Sequence, residues 1–193
     1  MKISEAFSDF PAEAALIGRM LAGYTDLELD LMHCVCAVNG DFDTVIKAMY
    51  RSRGETQRIN VADAFGRQSY RSLGLGTEFE MALGAMRLCM RIRNQFAHCI
   101  WWNDNTGQLA LANLEEIAGL NEMVNDLGGV NVHHVNVVLL EEQFGYFEYT
   151  SNLLIWVLHE GNKKAGRSAI PNLDKSGARK HPDLFLEQSL TKP

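Results

Sequence analysis

The sequence predicts an all-α chain, an up-and-down helical bundle of four to five main helices with a small β-hairpin inserted after the helix that ends near His98. Three observations predict it. Apolar residues recur at spacings of three and four over several long stretches, the period of a helix packed on one face. A single region, residues 99–111, breaks into two short apolar runs around a turn-forming loop, the pattern of a hairpin. Apolar residues make up 47% of the 193, ample for a packed core, and no window approaches 18 consecutive apolar residues, so no membrane span is expected.

The elements are predicted in order. From Pro11 to about Val38, apolar residues fall at Ile17, Met20, Leu21, Tyr24, Leu27, Leu31, Cys34, Val35 and Val38, with Asn39-Gly40 as the stop. Asp41 or Asp43 starts a second helix through Val45, Ile46, Met49 and Tyr50. Arg51 to Arg58 reads as a charged break. Asn60 caps a third helix carrying Val61, Ala64 and Phe65. After Gly74 and Gly76 comes a helix from Glu78 to about His98, opened by a capping box from Thr77 to Glu80. Cys99–Trp102 and Gln108–Leu111 then flank Asn103-Asp104-Asn105-Thr106-Gly107 as the hairpin. Leu114 to Val124 reads as a short helix ended by Gly128-Gly129. Asn131 caps a long final helix with two apolar sets, one of Val135, Val138, Leu139, Tyr146, Tyr149, Leu153, Trp156 and Val157, the other of Leu140, Phe144, Phe147, Leu154 and Leu158. A helix apolar on two faces is central or covered by a partner.

Composition divides the chain into a helical body, 1–160, holding the hairpin at about 99–111, and a basic C-terminal arm, 161–193. The arm carries seven Lys and Arg against three Asp and Glu, a net of +4, within a chain of net −6, which leaves −10 on the body. An acidic body does not adsorb RNA by bulk electrostatics, so any RNA site must be local or its substrate delivered by a partner. Within the arm, Leu184-Phe185-Leu186 is an apolar knob that needs a seat. Glu5 and Asp9 precede any apolar run, which argues against a secretory signal and makes the cytoplasm the expected location. Cys34, Cys36, Cys89 and Cys99 then read as reduced thiols, and Cys-x-Cys lacks zinc or redox spacing. No phosphate-cradling Gly loop, nucleophile elbow or zinc motif is present, and no cofactor is expected.

The chemistry concentrates in Arg91-Ile92-Arg93-Asn94-Gln95-Phe96-Ala97-His98. Guanidinium groups grip phosphate bidentately, and imidazole has the side-chain pKa nearest neutrality. Together they are the minimum set for cleaving a phosphodiester without a metal. This Arg-Asn-x-x-Ala-His end to a bundle helix resembles the HEPN superfamily (higher eukaryotes and prokaryotes nucleotide-binding), which is marked by an Arg-x4–6-His motif on a late helix of an up-and-down bundle. Arg93, Asn94 and His98 fall on that motif, and Arg91 fits its longer spacing, so either Arg can be the phosphate ligand. Many members are metal-independent endoribonucleases acting as dimers, often in defence or as toxins held by a neutralising protein. Others are non-catalytic modules that bind a protein or nucleotide. A subgroup paired with small nucleotidyltransferases carries Tyr two residues after the His, where this chain has Ile100.

The resemblance implies an Arg, 93 or 91, stabilising charge on the scissile phosphate, His98 as general acid or base, and Asn94 as orienter. It implies RNA as substrate, with the 2′-hydroxyl as nucleophile and DNA inert, and a homodimer with the motif helices near its axis. The alternative it leaves open is the non-catalytic dimeric module. Five residues turn an ideal helix by roughly 140°, so Arg93 and His98 do not share a face, and a frayed end or a second protomer must bring them together.

Each feature also has an ordinary structural reading. Arg87, Arg91, Asn94 or Gln95, and His98 form a polar stripe beside an apolar face of Met81, Ala85, Leu88, Ile92 and Phe96, as on any surface helix. His33, Cys34 and Cys36 read as core of the first helix. Asp26 and Asp30 read as a solvated carboxylate face. His133 and His134 read as neighbours pointing apart on a helix. Trp101 and Trp102 read as packing for the hairpin, one ring being able to stack a nucleobase.

Overall fold

The computed structural model describes residues 4–119 and 131–186, and shows a mainly helical chain with one small antiparallel sheet. The described elements are α1 Ala6–Asp9, α2 Pro11–Asn39, α3 Phe42–Arg51, α4 Glu55–Ser72, α5 Gly76–Ala97, β1 Cys99–Asn103, β2 Leu109–Asn113, α6 Leu114–Ala118, β3 His133–Val135 and α7 Val137–Lys164.

The predicted stop after α2 is present: Gly40 takes a positive φ of 81° and its N–H closes on Cys36. Asp41 caps α3, its carboxylate accepting from the Thr44 amide and hydroxyl at 3.1 and 2.6 Å. The break predicted at Arg51–Arg58 is shorter than its charge suggests. Gly54, at φ +82°, makes the turn, and α4 begins at Glu55, so Asn60 lies inside it and caps nothing. The charged run spans the end of α3, the turn and the polar first turn of α4. Arg58 Nη1 donates to both carboxylate oxygens of the buried Glu28, at 3.0 and 2.9 Å, which ties that turn to α2. Helix α5 opens at Gly76, so Thr77 sits within the helix and is not its N-cap.

The hairpin is one part of a larger sheet. β1 pairs with β2 from Cys99↔Asn113 to Asn103↔Leu109, and β2 pairs on its other edge with β3, Leu109↔Val135 to Leu111↔His133. The mainly helical expectation holds and the hairpin is present; the sheet gains a third strand, since residues 133–135 form β3, and α7 starts at Val137, not after Asn131. The reason is long-range. Residues Leu109–Ala112 are fully buried, and a buried strand must satisfy the backbone groups on both its edges. Asn136 takes the capping role, accepting from the Leu139 amide at 3.0 Å. Helix α6 covers Leu114–Ala118, and the rest of the short helix expected to Val124, with its Gly128-Gly129 stop, lies outside the described residues.

The chain forms two units. One comprises Met1–Leu21, Ile92–Gly145 and His181–Pro193, and the other Ala22–Arg91 and Tyr146–Lys180. In the first, the sheet carries Trp101 against Phe7 of α1 and Phe96 of α5, with ring centroids 5.4 and 5.9 Å apart. In the second, Tyr70 is the buried centre. Its ring stacks on Phe79 at 4.5 Å and its hydroxyl donates to the Cys34 carbonyl at 2.8 Å. Gly66 and Gly161 make room for these rings: a Cβ at 66 would lie 2.6 Å from Phe79 Cζ, and one at 161 would lie 2.9 Å from Tyr70 Cε1.

Both apolar sets on α7 are largely buried by this chain itself; Val138, at 64% exposure, is the main exception. Cys34 is core, as expected, but His33 is exposed and lies 6.5 Å from the Phe42 ring. Asp26 is exposed, whereas Asp30 is half-buried and accepts from Ser151 at 2.7 Å. Among the described residues, no helix is long and apolar enough to cross a membrane.

Candidate functional site

The motif lies at the C-terminal end of α5, where the helix gives way to β1 within a single residue, His98. Helical periodicity decides which motif side chains turn inward. Ile92 and Phe96 are buried, as their apolar character dictates. Gln95 is also buried, which corrects its place in the polar stripe, and Met81, at 40% exposure, leaves the apolar one. Arg91 is exposed and belongs to the second unit. Arg93 and Asn94 are half-buried, and the Arg93 guanidinium donates to Asn94 Oδ1 at 3.0 Å.

His98 is the exposed member, its side chain 53% accessible. Its Nε2 lies 3.6 Å from Glu115 Oε1 of α6. Two anchors set this approach. The Leu114 amide donates to the His98 carbonyl at 2.9 Å, which carries the β1–β2 register one pair further. Asn113 caps α6 through Oδ1, accepting from the Glu115 and Glu116 amides, while its Nδ2 donates to the Gln95 carbonyl at 3.3 Å. One side chain thus ties the start of α6 to the last turn of α5. The Cys99 thiol also bonds the Gln95 carbonyl, at 2.5 Å, and burial, with Glu116 adding to it, pushes that thiol up to about 12. Cys99 is therefore a poor nucleophile at neutral pH.

Gln95 shows how the arm is held. Its Nε2 donates to the Leu184 carbonyl at 2.7 Å, and Gln143 of α7, fully buried, donates to the Asp183 and Leu184 carbonyls at 2.7 and 3.1 Å. Both glutamine Oε1 atoms are buried without a hydrogen-bond partner. The knob has the seat it needs: Phe185 stacks on His133 with centroids 3.7 Å apart, and the Leu186 amide donates to the His134 carbonyl at 3.0 Å on edge strand β3. The two histidines point apart, as expected, but on a strand and not a helix. His133 meets Glu116 at 3.2 Å and His134 meets Asp104 at 2.7 Å. Burial works to raise the Asp104 carboxyl, but hydrogen bonds from Thr106 and His134 outweigh it and hold the group below its ordinary value.

Sequence reasoning placed Arg93, Asn94 and His98 at one helix end. It did not identify Glu115, Asn113 or Gln143. The Asn113-x-Glu115-Glu116 run carries a readable capping signature, a small polar residue before an acidic first turn. Nothing local reveals that Glu115 reaches His98. Among the described residues no group of three or more His, Cys, Asp or Glu side chains is arranged to hold a metal ion. No family model, characterised protein or solved structure matches this chain.

Proposed function

We propose that this protein is a metal-independent endoribonuclease of HEPN type, built on an up-and-down helical bundle and acting in the cytoplasm. The observation that supports the reading is the solvent exposure of His98 at the end of the same helix, α5, that carries Arg93 and Asn94. A histidine kept for structure alone would more commonly be buried against backbone acceptors. In the reaction, the RNA 2′-hydroxyl attacks the adjacent phosphorus and His98 accepts its proton. The phosphorus–O5′ bond breaks, the departing oxygen takes a proton from solvent water, and the products are a 2′,3′-cyclic phosphate and a 5′-hydroxyl. An Arg, 93 or 91, neutralises the charge that builds on the phosphate oxygens. Positions 93 and 98 lie roughly 140° apart around an ideal helix, so in this reading the site is composite, with the Arg of one protomer facing the His98 of a second copy.

Pure protein incubated with mixed RNAs in EDTA tests this. Cleavage is expected to persist in EDTA and to fall at least roughly 100-fold in His98→Ala, the low end of a general acid–base contribution. DNA stays intact. Arg93→Ala and Arg91→Ala, compared side by side, identify the phosphate ligand. Mixed dimers of Arg93→Ala and His98→Ala subunits regain activity if the site is composite. Cleavage that survives His98→Ala overturns the mechanism.

A second reading rests on a different observation. The Glu115 carboxylate stands beside His98, where an anionic substrate would approach, on a body of net charge −10. This favours a non-catalytic module that binds a protein, and the absence of cleavage on every RNA would transfer the weight to it.

A further inference from the structure

We propose that Glu115 is a positioning residue for His98, holding the imidazole with Nε2–H toward the carboxylate so that Nδ1 is the nitrogen that exchanges protons with substrate. The inference rests on the ribonuclease reading for its catalytic consequence, while the pairing itself stands on geometry.

Three features build the arrangement. Glu115 Oε1 is 3.6 Å from His98 Nε2, within ion-pair reach of the protonated ring. The Leu114 amide bond to the His98 carbonyl fixes residues 98 and 114 opposite each other at the end of the β1–β2 ladder. Asn113 then turns the chain into α6 while holding the Gln95 carbonyl, so the residue after Leu114 is brought over the end of α5. The neighbouring carboxylate is engaged elsewhere, since Glu116 is bonded to His133 at 3.2 Å and to Asn131 at 3.4 Å. The charged group that the described contacts bring to the His98 ring is Glu115, from α6. A carboxylate on one imidazole nitrogen selects the tautomer and stabilises the imidazolium, which is how an exposed histidine is oriented for proton transfer.

The test reads His98 directly. Long-range ¹H–¹⁵N correlation of the His98 ring is recorded across pH in the wild type, Glu115→Gln and Asn113→Ala, and RNA cleavage is followed in parallel. In the wild type the neutral ring should be the Nε2–H tautomer. In Glu115→Gln the Nε2–H preference should weaken. Asn113→Ala, which keeps the charge but frees α6, should weaken it likewise, and Glu115→Asp should restore it in part. The rate of RNA cleavage should fall with the tautomer preference across the variants. A wild-type Nδ1–H tautomer, an unchanged tautomer ratio in Glu115→Gln, or an unchanged cleavage rate overturns the proposal. If no RNA is cleaved but the tautomer ratio changes as described, the ribonuclease reading fails and the pairing stands.

Discussion

At the residue scale, the buried polar groups carry the clearest consequences. Burial raises the Asp30 carboxyl above its ordinary value, partly opposed by the hydrogen bond from Ser151. The sign follows from linkage. A carboxyl whose folded pKa is raised costs stability at neutral pH, and that cost disappears as pH falls through the raised folded value toward 3.8. Asp30→Asn keeps an acceptor for Ser151 and removes the charge. It should therefore raise Tm at pH 7, with the advantage over wild type shrinking as pH falls; thermal melts of both proteins from pH 7 to 3 check it, and an unchanged Tm at pH 7 contradicts it. Gln95 illustrates a limit of sequence reading at this scale. Its amide would suit a solvated stripe as well as an interior, and only the arrival of the Leu184 carbonyl makes burial tolerable.

At the element scale, helix ends and helix contacts are decided by small groups. The hydroxyl and amide of Thr44 hold the Asp41 carboxyl below its ordinary 3.8. A depressed folded pKa contributes stability above the unfolded value and loses it as pH falls through the folded one. Asp41→Ala should thus lower Tm at pH 7 and approach wild-type behaviour below the ordinary carboxylate range, which denaturant or thermal titrations would show. Gly66→Ala poses two opposed effects. Alanine gains roughly 1 kcal/mol of helix propensity over glycine. Its Cβ would press to 2.6 Å from a Phe79 ring that is already stacked on the buried Tyr70, and overpacking of this kind costs about 1–3 kcal/mol. The clash should win, and urea unfolding should report a net destabilisation. Gly161→Ala, meeting Tyr70 at 2.9 Å, should behave likewise.

At the scale of the whole molecule, the end of the arm, from His181, is a structural part of the first unit. Residues 183–186 supply carbonyls to two buried glutamines, a ring to His133 and a backbone bond to edge strand β3. Deleting residues 181–193 removes those partners, and each buried donor left unmet costs about 1–3 kcal/mol. For a chain of this size about 1 kcal/mol shifts Tm by roughly 2–4 °C, so the truncated protein should melt several degrees lower. Hydrogen exchange at residues 133–135 should accelerate with it, because the edge is uncovered. Equal melting of the two proteins would show that the contacts contribute nothing net. The burial of both α7 faces within one chain also bears on assembly. A second copy, if it completes the site, must dock elsewhere than on that helix, and light scattering at micromolar concentration measures whether it does.

The sequence by itself determined what depends on neighbours a few residues apart. The periodicity of α2 and α7, the Asn39-Gly40 stop, the Asp41 cap, the hairpin loop and the position of Arg93, Asn94 and His98 at a helix end all follow from local spacing and backbone preference. Tertiary structure decided what depends on distant backbone seeking a partner. Residues 133–135 became a strand because buried β2 had a second edge to satisfy, and the final helix was delayed to Val137 in consequence. Arg58 joined a helix because Glu28, thirty residues earlier, accepts both its bonds. His98 faces Glu115 because the strand register sets residue 114 opposite residue 98, a relation between positions sixteen apart that no local pattern encodes.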